Sequence, residues 1–492
     1  MSPSSPAYVV FLLIVRGLSL ALPPRSRWAL LLFSSVGFYA LIVGPELLAA
    51  LGLVATISYW AGRLVRRAEQ TGAASAWLWC SIVSLLAPLF CFRYLGVLRS
   101  ALAGTGSTGV TTFEATVTGT VEAVGLSYYT FQALSYVADV HIGKIDPEEH
   151  FGFYCLYLGF FPKLLMGPIE RAADLLPQLR QEFAFDYENT RSGLLLLTWG
   201  VFKKAVIADR LGILVSPVFS DVVEYHGLAV VLAVYGFAFQ LYLDFSGYTD
   251  VALGSARLFN VRLTDNFASP YLSTSITEFW RGWHISFSRW LFDYVFVPVQ
   301  LKLRTRPLLA NVVALLVTFS VCGIWHGPAA TFVVWGMINA VYMIAPILRK
   351  GGRTGGAARG AKKSRWVVAV QVVVTFHLTC LAWVFFRARS LGDAVQLLSN
   401  GFSGLWPPAT WAGSVRDLVR LAMAPDLRRC VGILGVSLCA YSLVALSSMR
   451  GRTLRDLFSL PWTVRWAIYY VLILGIVCLG LFGESRFLYF QF

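Results

Sequence analysis

Leu308-Leu-Ala-Asn-Val-Val-Ala-Leu-Leu-Val-Thr-Phe-Ser-Val-Cys-Gly-Ile-Trp325 and Ala329-Ala-Thr-Phe-Val-Val-Trp-Gly-Met-Ile-Asn-Ala-Val-Tyr-Met-Ile-Ala-Pro-Ile347 are apolar runs of 18 and 19 residues, joined by His326-Gly-Pro328. A bilayer core about 30 Å thick needs roughly 20 helical residues to cross it, so the two runs read as the legs of a transmembrane hairpin. Both bases are basic: Lys302, Arg304 and Arg306 precede the first leg, and Arg349 to Arg365 follow the second. Basic loops stay on the cytoplasmic side, which sends the turn with its histidine toward the opposite face.

The rest of the chain has the same character. Of 492 residues, 57% are hydrophobic and 14% charged, and the mean hydropathy is +0.65. Soluble domains carry about 25% charged residues, so this is an all-α polytopic membrane protein. Apolar segments recur from residue 7 to residue 482 without a long polar block and without an internal repeat, which points to one transmembrane domain over 1–492. The net charge of +15 falls largely in short loops, a topology signal instead of a nucleic-acid footprint. The eight cysteines show no Cys-x-x-Cys spacing; neither a zinc site nor a disulfide framework follows, and they read as small packing residues.

In chain order, Ala7 to Leu22 carries Arg16 and has no small-residue cleavage motif behind it, which argues against a cleaved signal peptide. Runs at Trp28 to Val43, Leu47 to Trp60 and Ala76 to Phe92 follow, then a Gly- and Thr-rich segment, Gly104 to Thr120, expected as an external loop before Val121 to Val140. His141 to His150 holds two histidines and three carboxylates, but the spacing fits no ligand motif and a solvated loop is the better reading. Phe151 to Met166 is apolar, Ala172 to Arg191 amphipathic, and Leu194 to Val206 and Leu228 to Leu243 are further expected spans. Val367 to Phe386, Val431 to Leu446 and Trp466 to Leu481 bring the expectation to about 11–13 hydrophobic helices, re-entrant ones included. The stretch 349–365 has seven Lys or Arg, five Gly and no acidic residue. It is expected to be a flexible cytoplasmic loop suited to anionic lipid head groups.

Chemistry concentrates between Asp244 and Gly327. Asp244-Phe-Ser-Gly-Tyr-Thr-Asp250 sets two carboxylates beside a glycine, read as a helix break. A carboxylate facing lipid costs about 2.5–3.5 kcal/mol at a helix centre, so Asp244 is either structural or part of a polar site. Trp280, Trp283, Phe287, Trp290 and Leu291 recur at three- and four-residue spacing, the mark of a helix with one apolar face. Its aromatics and the interleaved Glu278, Arg281, His284, Ser286 and Arg289 read as an interfacial or re-entrant helix lining an aqueous cavity. His284 by itself reads as a structural histidine as readily as a catalyst. His326 sits among Gly323, Gly327 and Pro328 at the turn of an apolar hairpin. Imidazole, with an ordinary pKa near 6.5, takes and returns a proton near neutral pH; buried carboxylates and histidine equally suit a transporter's proton path.

Asp244-Phe-Ser-Gly-Tyr248, Asn266-Phe267, Pro270-Tyr271, Glu278-Phe-Trp-Arg281, Trp283-His-Ile-Ser286, Gly323-Ile-Trp-His-Gly327 and Trp335-Gly336, in this order, resemble the membrane-bound O-acyltransferase family. Its bacterial branch, with alginate O-acetyltransferase and the teichoic-acid D-alanyl transferase, is the nearest in pattern. Phe160-Phe-Pro-Lys-Leu-Leu-Met-Gly-Pro-Ile169 and Tyr489-Phe-Gln-Phe492 extend the likeness over nearly the whole chain. Three positions depart from the usual pattern: Gly282 in place of an arginine, Pro298-Val-Gln300 in place of Pro-Leu-Gly-Gly, and Asn339 where a histidine often follows Trp-Gly.

The resemblance implies a disc of tilted helices around re-entrant ones, with a central tunnel, in the plasma or inner membrane. It implies His326 and His284 as the catalytic residues, with Asp244, Tyr248, Asn266, Glu278, Trp280, Arg281, Trp283 and Trp325 as substrate or tunnel candidates and no metal. The implied donor is a cytoplasmic acyl-CoA or acyl-carrier-protein thioester, the acyl group acetyl. The implied acceptor is a hydroxyl of an extracytoplasmic polysaccharide, reached directly or through an acetyltransferase partner protein. Transfer to a lipid or small-molecule hydroxyl is the alternative within the class, and a transporter the alternative outside it.

Overall fold

The computed structural model describes residues 3–102, 125–182, 184–349, 364–403, 410–449 and 454–482. The expected loop Gly104 to Thr120, positions 350–363 of the basic stretch 349–365, and the terminal Tyr489 to Phe492 lie outside the described residues. Regular structure among the described residues is entirely helical. Among the described residues seven helical stretches are long and apolar enough to cross a membrane: Pro45–Thr71, Ala74–Phe92, Leu228–Arg257, Pro307–His326, Ala330–Arg349, Arg365–Arg387 and Trp462–Leu479. The first two apolar runs form α1 (Pro6–Ala21) and α2 (Arg27–Ala40), of 16 and 14 residues. At 1.5 Å per residue these are shorter than the seven long helices and than the hydrocarbon thickness.

The chain divides into two compact units, one holding the chain up to Gly200 with Tyr248–Asp265, the other Val201–Gly247 and the described residues from Asn266 onward. In the first, α3 (Pro45–Ala68), α4 (Ala74–Leu102) and α5 (Leu126–His141) pack together. Phe151 to Met166 is not one helix here: α6 (Phe151–Gly159) stops after nine residues and a run of turns follows. Within these turns Lys163 is fully buried, donating to the side-chain amide oxygen of Gln132. The amphipathic stretch after it contracts to α7 (Ala172–Arg180). α8 (Tyr187–Val201) ends this stretch of the first unit, and the π-type turn at Phe202–Ala208 and α9 (Asp209–Ser220) belong to the second, so Leu194 to Val206 is not the separate span expected.

The second unit is organised on the predicted hairpin, α14 (Pro307–His326) and α15 (Ala330–Arg349). The legs touch where side chains are smallest: a Cβ on Gly336 would sit 2.3 Å from the Phe319 carbonyl oxygen. Leu315, Phe319, Ala340 and Ile344 form the core between the legs. α10 (Leu228–Arg257) runs unbroken through Asp244-Phe-Ser-Gly247, so the expected glycine break is absent; the Asp244 carboxylate is stabilised by a cation instead of by freed backbone amides.

The expected single aromatic helix is two short ones, α11 (Ile276–Gly282) and α12 (Ile285–Leu291), followed by a π-type turn at Phe292–Phe296 and α13 (Val297–Lys302). The break falls at Trp283 and His284, whose backbone adopts φ 43°, ψ 56°, a left-handed conformation seldom used by non-glycine residues. The neighbouring loop takes up the backbone groups released there: Ala268 N–H donates to Gly282 O and Ile285 N–H to Asn266 O, each at 2.9 Å. Gly282 is needed for that contact, since a Cβ would lie 2.8 Å from the Ala268 carbonyl oxygen. Periodicity in sequence carried through the break because side chains on both sides remain apolar. α16 (Arg365–Arg387), α17 (Leu391–Ser403), α18 (Trp411–Met423), α19 (Pro425–Met449) and α20 (Trp462–Leu479) complete this unit.

Candidate active site

His326 is the last residue of α14, and Gly327 after it takes φ 156°, ψ 175°, a conformation essentially restricted to glycine. The chain therefore turns directly behind the imidazole, leaving it at the hairpin tip and 7% exposed. Trp335 and Phe386 meet the ring edge-on, with centroids 5.1 and 4.8 Å away. Trp325 lies 4.5 Å from it.

His284 reaches the same place from the other side. It is 2% exposed, packed against Phe245 at 4.7 Å and Phe287 at 5.1 Å. Its Nδ1 lies 3.2 Å from Asn266 Oδ1, which also accepts from Ser286 N–H at 3.1 Å and Ser286 Oγ at 2.8 Å. Burial lowers its pKa from the ordinary imidazole value to about 3, because charging the ring would forfeit its hydration. The indole of Trp325 contacts both histidine rings, at 6.4 Å from His284 and 4.5 Å from His326.

Both histidines line one cavity of about 10 Å³, room for roughly one water molecule. Leu241, Trp280, Trp283, Phe287, Cys322, Trp335, Trp383 and Phe386 make up the rest of its wall. Both rings are buried, and among the described residues no charged side chain lines the wall; surroundings of low dielectric strengthen the polar interactions that either ring makes with a hydroxyl.

Residues 149–350, which include both histidines, match the family model described as MBOAT, membrane-bound O-acyltransferase family. Over 400 residues the chain is 32% identical to a probable alginate O-acetylase of Azotobacter vinelandii, covering 81% of this chain and 77% of that one. The chain belongs to the membrane-bound O-acyltransferase family. It is also 30% identical over 358 residues to a peptidoglycan O-acetyltransferase of Helicobacter pylori, covering 70% and 65% of the two chains. A teichoic acid D-alanyltransferase of Bacillus subtilis is 24% identical over 280 residues, covering 55% and 69%. The protein is therefore a multi-pass membrane O-acyltransferase.

Of the candidates expected for an O-acyltransferase site, the fold gathers His326, His284, Trp280 and Trp283 on the cavity wall, with Trp325 and Asn266 directly behind. Trp280 Nε1–H donates to Asn339 Oδ1 at 3.2 Å, and the Asn339 amide donates to Trp335 O at 2.8 Å. The asparagine that departs from the family pattern thus supports two tryptophans of the wall.

Four other candidates lie off this wall. Glu278 is exposed and accepts from Thr274 N–H and Oγ, both at 2.7 Å, while Ser275 Oγ caps α11. That is a capping arrangement. Arg281 is exposed beside it. Asp244 is buried and ion-paired with Lys204 at 2.6 Å, and Lys204 also bonds Asp209 at 2.7 Å. Tyr248 belongs to the first unit, its hydroxyl accepting from Met166 N–H at 3.2 Å.

Trp383 and Phe386 were not candidates. They enter from α16, about 60 residues beyond His326 in the chain, and only their aromatic character at the end of an apolar span marked them. Among the described residues no group of three or more His, Cys, Asp or Glu is placed to hold a metal.

Proposed function

We propose that this acyltransferase moves an acetyl group from a cytoplasmic thioester to a hydroxyl of an extracytoplasmic polysaccharide or of a partner acetyltransferase, with His326 as the general base. The observation that carries this reading is the small aromatic cavity shared by His326 and His284. A space of that size favours the smallest acyl group, and among the described residues the wall carries no carboxylate to balance the ammonium of a D-alanyl group. The names of the alginate and peptidoglycan relatives support acetyl and a cell-surface polymer.

In the proposed step a ring nitrogen of His326 takes the hydroxyl proton, the oxygen attacks the thioester carbonyl, and a tetrahedral oxyanion forms. The C–S bond then breaks, and the imidazolium returns its proton to the departing thiolate. The C-terminal end of α14 favours the transient positive charge on the ring. A positioned base contributes roughly 100- to 10,000-fold in rate.

The test is transfer of radiolabelled acetyl from acetyl-CoA, and in parallel from an acetylated carrier protein, to surface polysaccharide in membranes holding wild type or His326→Ala. Label that falls at least 100-fold in the variant, with equal folded protein, supports the reading and names the donor. Full label in His326→Ala would sink the base assignment, and no label from either donor would sink acetyl transfer itself.

A further inference from the structure

Asn266 Oδ1 is the meeting point of three groups, and one of them settles the chemistry of the rest. Ser286 N–H is a backbone amide and can only donate, so the side-chain atom 3.1 Å from it is the oxygen of Asn266 and not its nitrogen. An amide oxygen carries no hydrogen, so His284 Nδ1, 3.2 Å away, is the partner that supplies one. Nδ1 of His284 is therefore the protonated nitrogen, and in the neutral ring Nε2 is an acceptor.

We propose that Asn266 is a positioning residue that locks His284 in the Nδ1–H tautomer, so that His284 offers the cavity only a lone pair and accepts a hydrogen bond from the incoming acceptor. This rests on the acyl-transfer reading above and divides the labour between the two histidines. His326 takes the proton of the reacting hydroxyl. His284 receives the hydrogen bond of a second hydroxyl, on the adjacent carbon where the acceptor is a sugar, and no bond changes at its ring. Locked in this way, it cannot donate to the oxyanion or protonate the thiolate.

The local wall makes the lock strong. The rings described against His284 are Phe245 from α10, Phe287 from α12 and Trp325 from α14, none of them titratable. The titratable groups that share its cavity are His326 and Cys322. Asn266 is itself 1% exposed, so water does not compete for its oxygen. The left-handed backbone of His284 is held by the same loop, through Ile285 N–H to Asn266 O. Main chain and side chain of Asn266 thus set both the position and the tautomer of one imidazole.

Asn266→Asp separates positioning from mere support. A carboxylate accepts the same three hydrogen bonds, but its charge stabilises the imidazolium, which carries hydrogen on Nε2 and so loses its acceptor. The expected result is near-wild-type acyl transfer at pH 8.5 and a loss of tenfold or more, relative to wild type, at pH 6. Asn266→Ala is expected to lose about 10- to 100-fold at every pH, taking as the measure the loss on removing the outer partner of a metal-ligating histidine. A rate profile of Asn266→Asp that superimposes on wild type from pH 5.5 to 9 would overturn the proposal.

A readout without turnover keeps this distinct from the parent reading. In purified protein with ¹⁵N-labelled histidine, the His284 resonances, assigned by their loss in His284→Gln, are expected to show a protonated Nδ1 and a bare Nε2 at pH 7. A protonated Nε2 overturns the proposal even in an active enzyme. A wild type with the expected spectrum but no transfer from any thioester would leave the lock in place and remove the function assigned to it.

Discussion

Asp244 shows how a single residue type is read one way in sequence and used another in space. Its carboxylate meets Lys204 Nζ at 2.6 Å, with Asp209 completing the group and all three largely shielded from solvent. Removing one member of a buried pair costs about 3–5 kcal/mol, since the remaining charge keeps its desolvation penalty. Lys204→Met is therefore expected to lower the thermal midpoint of the detergent-solubilised protein strongly. Adding Asp244→Asn should recover much of the loss; if the double variant is no more stable than Lys204→Met, the pair is not what holds these helices.

His284 makes a second prediction at this scale. Its folded-state pKa of about 3 lies below the 6.5 of the free side chain, so between these values the unfolded chain binds the extra proton. Stability is thus full above pH 6.5 and falls as the pH drops toward 3. Thermal midpoints of wild type at pH 7.5 and 4.5 should differ by more than those of His284→Gln; equal differences would exclude this histidine as a source of acid sensitivity.

Among the elements, the α14–α15 hairpin depends on close backbone approach. A Cβ at Gly336 would stand 2.3 Å from Phe319 O, a carbonyl fixed in the facing helix. The helix-propensity gain of Gly→Ala, about 1 kcal/mol, is outweighed by overpacking of roughly 1–3 kcal/mol. Gly336→Ala is expected to reduce both thermal stability and acyl transfer, because the legs carry His326 and Trp335 to the same cavity. Retention of wild-type stability and rate would show that the legs part without consequence. The paired short helices α11 and α12 work differently, since their break at His284 is stabilised by the loop beside them, through Ala268 and Asn266.

For the molecule as a whole, the cavity wall is drawn from α10, α11, α12, α14, α15 and α16, so acyl selectivity is a property of their assembly. Trp383 stacks on Trp335 at 5.7 Å and 15°, closing the wall by a ring with no direct role in proton transfer. Trp383→Leu is expected to raise butyryl transfer relative to acetyl by tenfold or more in a competition between the two thioesters. An unchanged ratio would mean that the aromatic wall does not gauge the acyl group.

The amino-acid sequence by itself determined that the chain lives in a membrane, that 308–347 is a hairpin with His326 at its tip, and that the family is one of O-acyltransferases. Those conclusions rest on local properties: apolar length, loop charge, and a motif order read directly from the residues. It did not determine that α10 runs straight through Gly247, because a glycine weakens a helix by only about 1 kcal/mol and a buried ion pair with Lys204 overrides it. Nor did it determine the break at His284, where apolar residues keep their spacing on both sides and only the hydrogen bonds of a distant loop reveal the turn. Trp383, Phe386 and the tautomer set by Asn266 came from the tertiary structure alone, because each depends on groups brought together across 18 to about 100 positions of chain, a proximity that no local pattern encodes.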